Sequence, residues 1–451
     1  MKKLLLLLAL AMPCLLSSAH PALEVVGYFP GWSVDSSANA NAPAGSPFEI
    51  SSASINAHHL TVINYAFLDI CWNGQHGNPA VTTKNDLHDC LNGEGNPITP
   101  ANGSIVLGNP LWDADVHGTG KNNLAKLLAL KTDNPKLKLI ASVGGWDWSN
   151  HFSQTAAKPE TRSNFANSAV EFLRLYHFDG IDIDWEYPTS IGIACAPEQQ
   201  CDDVADKTNY ILLVQTLRQT LDQAGKEDGK HYVITIAAGS TPKYIQDNRP
   251  KGSWMTALAK QLDWINLMNY DYHGPWDLNN GFNAPLHRDR HDTSASAKTT
   301  NSDAVVNLLL QYVPANKIVL GMPFYGYGWS GCQAGPKQDG LYQPCKAGAN
   351  GMDSNFSFSR LTEQGYLVKD VQGNYTHGAQ GFVRHWSQSG QVPYLYNPES
   401  QIFISYEDEQ SIHLKDRYLL QRGLRGAMFW ELNADRGLVL GTVVAQDLLG
   451  K

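Results

Sequence analysis

Positive charge is in deficit. The 451-residue chain carries 34 Lys and Arg against 43 Asp and Glu, a formal net charge of −9. If Lys2 and Lys3 leave with an N-terminal leader, the balance becomes −11, so nucleic acid and anionic lipid are poor partners and a neutral substrate is the easier fit. The sequence also lacks G-x-S-x-G, a phosphate-cradling P-loop and H-E-x-x-H, which removes the usual serine-hydrolase, nucleotide-binding and zinc-protease readings. Beyond the N-terminus no apolar run approaches the roughly 20 residues needed to span a bilayer. Internal repeats and Ser/Thr/Pro-rich linkers are missing too, so nothing suggests an appended binding module.

The N-terminus is the exception to the shortage of apolar runs. Lys2-Lys3, then Leu4 to Ala11, then Ser17-Ser18-Ala19 reads as a secretory leader over residues 1–19. Export, to the periplasm or beyond the cell, is expected, with no membrane attachment once the leader is removed. Cys14 would leave with it. The six other cysteines fall into the local couples Cys71 with Cys90, Cys195 with Cys201, and Cys332 with Cys345. An even count in an exported chain favours disulfides over metal sites. Six cysteines permit 15 connectivities, so this pairing is an expectation from spacing.

The chain is organised around Asp179-Gly180-Ile181-Asp182-Ile183-Asp184-Trp185-Glu186. Its alternation is that of a strand, with Asp182, Asp184 and Glu186 on one face and Ile181, Ile183 and Trp185 on the other. A row of buried carboxyl groups is expensive unless the groups share protons, find partners or serve a ligand. Tyr187-Pro188 should stop the strand just past the last acid.

Eight segments share strand character: Val25–Trp32, Thr61–Leu68, Lys138–Trp146, Phe178–Tyr187, Tyr232–Ser240, Leu262–Asp271, Lys317–Tyr325 and Leu424–Leu432. Helical spacing marks Asn123–Lys131, Thr161–Tyr176, Lys207–Ala224 (stopped by Gly225), Ala304–Tyr312 (capped by Ser302-Asp303) and Ser411–Gln421. Alternating β and α elements imply a parallel sheet. Eight of them favour a closed α/β barrel, the (β/α)8 TIM barrel, with functional groups at the C-terminal strand ends. Residues 20–326 and 405–451 would form it, and 327–404 a small inserted α+β subdomain between strands 7 and 8. Ser33–His59 and Cys71–Lys121 read as surface excursions. His287, Asp289, His291 and Asp292 read as a solvated loop rather than a metal site, and His58-His59 as a surface pair or helix cap.

Crowded acids raise one another's pKa and so can keep a proton near neutral pH. That is what glycoside cleavage asks of its general acid. Glu186, the outermost, is best placed to protonate a leaving oxygen; Asp184 would modulate it and Asp182 would share a proton with Asp184 or hold it. A second, opposed carboxylate is not evident. Substrates whose own acetamido oxygen attacks the anomeric carbon are an established exception to the two-carboxylate rule. Tyr270 and Asp271 end strand six, where they could hold that group. Tyr28, Phe67, Trp146, Trp276 and Trp430 lie at or just after strand ends, where flat rings suit sugars.

The chain resembles family 18 glycoside hydrolases, and most closely the secreted bacterial chitinases with an inserted α+β subdomain. Ser142-Val143-Gly144-Gly145-Trp146 resembles the family's S-x-G-G, Asp179 to Glu186 its D-G-x-D-x-D-x-E, and Met268-Asn269-Tyr270-Asp271 its M-x-Y-D. The resemblance implies Glu186 as catalytic acid, Asp184 rotating to assist an oxazolinium-like intermediate, and Tyr270 and Asp271 positioning the acetamido group. Gly145, Met268 and Trp276 would line the groove and Trp430 would floor the central sugar site. It implies a chitin or chito-oligosaccharide substrate, retention of the β configuration, and neither metal nor organic cofactor; separately, a monomer is expected. Where many relatives carry Arg after Phe324-Tyr325-Gly326, this chain has Tyr327. The competing expectations are an endo-β-N-acetylglucosaminidase acting on N-linked glycans and a non-catalytic chitin-binding lectin.

Overall fold

Eight parallel strands close on themselves: Glu24–Pro30, Val62–Cys71, Lys138–Gly144, Gly180–Asp184, Val233–Gly239, Trp264–Met268, Ile318–Pro323 and Gly426–Trp430. The first pairs with both the second and the eighth, which completes the barrel. The computed structural model describes residues 22–34, 47–81, 86–116, 118, 120–193, 195–197, 199–247, 253–346 and 355–451. The expected leader lies outside them. All eight predicted strands are present and most are shorter than expected. The fourth was expected to run to Tyr187, but its ladder ends at Asp184, so Glu186 stands two residues past the last pair. A ninth strand, Ser104–Val106, runs antiparallel along the outer end of the second.

Helices cover the barrel where their apolar stripes predict. Pro159–Tyr176 buries Phe165, Ala169, Phe172 and Leu173 and ends at His177 in the left-handed region. Several boundaries shift by a few residues, and two caps depart from expectation. Helix Asp206–Asp228 continues through Gly225 and is capped by Gly229 at φ +68°. Gly225 serves close approach instead, because a Cβ there would stand 2.4 Å from the carbonyl oxygen of Lys230. Helix Ser302–Leu309 is capped by the Asn301 side chain, one residue before the expected Ser302-Asp303. Helix Glu409–Gln421 begins with a capping box between Asp408 and Ser411. His58 and His59 lie in a short 3-10 turn capped by Asn56.

Between the seventh and eighth barrel strands, a five-stranded antiparallel sheet takes the order Asn355–Ser357, Tyr325–Trp329, Ile402–Ser405, Val392–Asn397, Val383–Ser387. Tyr325 already belongs to this sheet, not to the barrel. Phe282, Trp329, Val392, Tyr394, Tyr396 and Phe403 form its own apolar core. The 287–292 loop is less solvated than expected. Asp289 is buried and accepts a hydrogen bond from Ser387, and Asp292 is buried beside His273. Both aspartates are spent on tertiary contacts. The three cysteine couples form the disulfides Cys71–Cys90, Cys195–Cys201 and Cys332–Cys345. Among the described residues, no helix is long and apolar enough to cross a membrane.

The Lys230 contact yields a prediction of sign. Glycine to alanine inside a helix ordinarily stabilises by about 1 kcal/mol. Gly225→Ala should instead lower the urea midpoint, because the approaching group is backbone and cannot swing aside.

Candidate active site

The parallel register decides what surrounds the innermost acid. Asp182 lies level with Ser142 on the third strand and Thr235 on the fifth. Ser142 Oγ donates to Asp182 Oδ2 at 3.0 Å and Thr235 Oγ1 donates to Oδ1. Tyr28 adds a 2.6 Å hydrogen bond from the first strand and Asn266 Nδ2 a 3.3 Å one from the sixth. Four donors from four strands therefore converge on a carboxyl group that solvent does not reach. Asn266 also accepts from the Trp264 indole at 3.1 Å, which fixes which end of its amide faces Asp182.

Asp184 lies one layer above, 3% exposed. Burial raises its pKa well above the usual carboxyl range, and the charge of Asp182, a hydrogen bond to it and the nearby Glu186 push the same way. Burial and the neighbouring acids thus favour the neutral form of Asp184. Its Oδ1 has no hydrogen-bond partner, so one side of the group remains uncommitted. Glu186 is half-buried at the mouth. Its pKa is raised to about 8, first by desolvation and then by Asp271 and Asp147, against a lowering hydrogen bond from Tyr187. A group so placed holds its proton at neutral pH.

Opposite stand Tyr270 and Asp271. Burial, then the charges of Asp271, Glu186 and Asp184, keep the Tyr270 phenol protonated, so it is a donor. Asp271 adopts φ +59°, held there by its backbone N–H donating to Asn283 Oδ1 at 2.8 Å. Its carboxyl accepts from Tyr325 at 2.5 Å. Burial raises its pKa, while hydrogen bonds from Tyr325 and Tyr327 lower it. Tyr327 thus reaches the acid with a phenol, at the position where the resemblance led us to expect Arg in many relatives.

The aromatic expectations divide. Phe67 and Trp430 stack at 5.8 Å, and Trp32 packs against both. Gly145, at φ +81°, permits this because a Cβ would come within 2.5 Å of the Phe67 ring. Met268 is half-buried on the same side of the barrel as Trp430 and Tyr327. Trp146 and Trp276 are 49% and 59% exposed, large apolar surfaces left in water. Tyr28 is corrected: it is 2% exposed and its hydroxyl is committed to Asp182, so it lies beneath the floor and offers no face to a sugar.

Sequence reasoning missed Thr235, Asn266, Trp32 and Tyr325. Thr235 and Asn266 were visible only as polar residues inside apolar strands. Trp32 and Tyr325 had no signal beyond lying at predicted strand ends.

The barrel thus sets three stacked acids opposite a tyrosine–aspartate pair, beside the stacked rings of Phe67 and Trp430. The chain belongs to family 18 of the glycosyl hydrolases, which it matches over residues 24–435. It is 40% identical over 452 aligned residues to Chitinase A1 of Niallia circulans, covering 96% of this chain and 59% of that protein's length. Among solved structures it is similar to chitinase ChiA74 from Bacillus thuringiensis, with a TM-score of 0.80 and 36% identity over 95% of this chain and 70% of that one. A family 18 N-acetylglucosaminidase from Paenibacillus barengoltzii matches with a TM-score of 0.67 and 29% identity, over 94% of this chain and all of that one.

Tyr28→Phe removes one of the four donors to Asp182 at nearly constant volume. It should destabilise the fold by about 1–3 kcal/mol, the usual cost of a hydrogen bond to a charged or buried group. Chemical denaturation of the purified variant measures this.

Proposed function

We propose that the protein is an exported chitinase that hydrolyses β-1,4 linkages between N-acetylglucosamine units with retention of configuration. The observation that carries the reading is the geometry at the end of the fourth strand: Asp182 accepting from four donors, Asp184 buried directly above it, and Glu186 at the mouth, where burial raises the pKa of both upper acids. Three disulfides support an oxidising compartment.

The steps follow from these positions. A chito-oligosaccharide lies over Trp430 with neighbouring rings against Trp146 and Trp276. Glu186 gives its proton to the glycosidic oxygen as the bond to the anomeric carbon breaks. The substrate's acetamido carbonyl oxygen attacks that carbon from the other side, held by the Tyr270 hydroxyl. The resulting oxazolinium carries positive charge on the ring nitrogen side. Asp184, by turning its uncommitted Oδ1 toward it, supplies an acceptor. Glu186, now a carboxylate, draws a proton from the incoming water, which opens the ring and returns the β anomer.

Glu186→Gln should lower kcat on chitohexaose by about 10²- to 10⁴-fold, the usual worth of a general acid, while oligomer affinity by calorimetry stays within a few-fold. Near-normal turnover would remove Glu186 from the role. The acid must be protonated to act, so kcat/KM should fall as pH rises through about 8; an alkaline limb near the ordinary glutamate pKa would contradict the assignment. Trp430→Ala should chiefly weaken binding and positioning. Incubation with a glycoprotein bearing N-linked glycans separates the endo-β-N-acetylglucosaminidase reading, for which released glycans without chitohexaose cleavage would be decisive.

A further inference from the structure

Glu186 lies past the end of the sheet that delivers it. The last ladder pairs of its strand are Gly144 with Asp184 on one side and Ile183 with Ile236 on the other. Beyond them no neighbouring strand holds the backbone, and a buried N–H without a partner is costly. The gap is filled by one hydroxyl. Ser149 Oγ accepts from the Glu186 backbone N–H at 2.8 Å. The same oxygen lies 2.8 Å from the carbonyl of Gly145 and 3.1 Å from that of Asp184, to which its proton can be donated. The Gly145 N–H in turn donates to the Asp184 carbonyl at 2.8 Å. Ser149 is fully buried and opens the 3-10 turn Ser149–His151 after the third strand.

We propose that Ser149 is a positioning residue for the reaction. Its hydroxyl extends the ladder between the third and fourth strands by one rung, and so sets where the Glu186 carboxyl stands. The inference rests on reading Glu186 as the acid. A hydroxyl suits the place because it accepts and donates at once, joining a backbone N–H on one residue to carbonyls on two others. The far side of Glu186 is held separately. Its carbonyl accepts from the Gly192 N–H at 3.0 Å, in a segment closed by Cys195–Cys201 and tied to Asp206 through the Thr189 and Asp203 N–H groups and Ser153 Oγ. Removing the serine hydroxyl leaves the residue anchored on that side only, free to tilt its acid away from the leaving oxygen.

The test separates misplacement of a proton donor from a general loss of fold. A poor leaving group needs the acid, whereas a dinitrophenolate departs without it. kcat/KM, which reports the first irreversible step, is measured for chitohexaose and for a dinitrophenyl chitobioside. Ser149→Ala should lose about ten- to a hundredfold on chitohexaose, the cost of misplacing a catalytic group by about an ångström, and less than threefold on the dinitrophenyl substrate. Equal losses on both, or no loss on either, would overturn the proposal. Because a ratio of substrates does not depend on the active fraction, partial misfolding leaves it readable. Should Ser149→Ala yield no folded protein, Ser149→Cys, with its weaker donor and acceptor, should give a ratio between wild type and the Glu186→Gln control; a wild-type ratio there counts against Ser149. If Glu186→Gln itself cleaves chitohexaose normally, the reading of the acid fails first, which is a different result from an intact acid that is indifferent to Ser149.

Discussion

Everything at the mouth of this barrel follows from how Asp182 is satisfied. Three carboxyl groups in a line cannot all carry charge in a site of low dielectric. The fold concentrates four donors on the innermost one and thereby makes it the place where negative charge is tolerated. The next acid up then finds an acceptor beneath it and keeps a proton. The outermost, desolvated and facing further acids, keeps one as well. One short stretch of chain thus separates three similar side chains into an acceptor and two groups of raised pKa by what surrounds each of them.

That sorting depends on register more than on composition. Ser142 and Thr235 meet Asp182 because the third, fourth and fifth strands are aligned at that layer. A slip of one residue would turn each side chain to the other face. The Trp264 indole plays a similar part at one remove, holding the Asn266 amide with its NH2 group toward the acid.

Much of this was legible beforehand. The eight strands, the alternation of the acids and the disulfide couples are local patterns, and local patterns survive in a sequence read alone. What was not legible depends on approach between distant segments. Gly225 looks like a helix stop until Lys230 is seen folding back on it. Tyr28 looks like an aromatic platform at a strand end until the barrel closes and puts its hydroxyl on an acid 154 residues away. Asp289 looks solvated until Ser387 of the inserted sheet bonds to it, and Asp292 until His273 lies beside it. The strand carrying Glu186 looks long enough to hold it, yet the ladder stops at Asp184 because its neighbours stop pairing there.

The two exposed indoles share a detail of seating. A Cβ on Gly192 would stand 2.2 Å from the Trp146 ring, and one on Gly274 2.2 Å from that of Trp276. Each ring therefore rests on bare main chain, and each is a tile with one side glued down. Flat apolar contact holds a sugar against such a tile without dictating where along it the sugar sits, whereas Glu186, Asp184 and Tyr270 tolerate only one placement. Under the proposed function, grip on a sugar chain and aim at the scissile bond would then reside in different residues, the outer indoles supplying the first and the acids with Tyr270 the second.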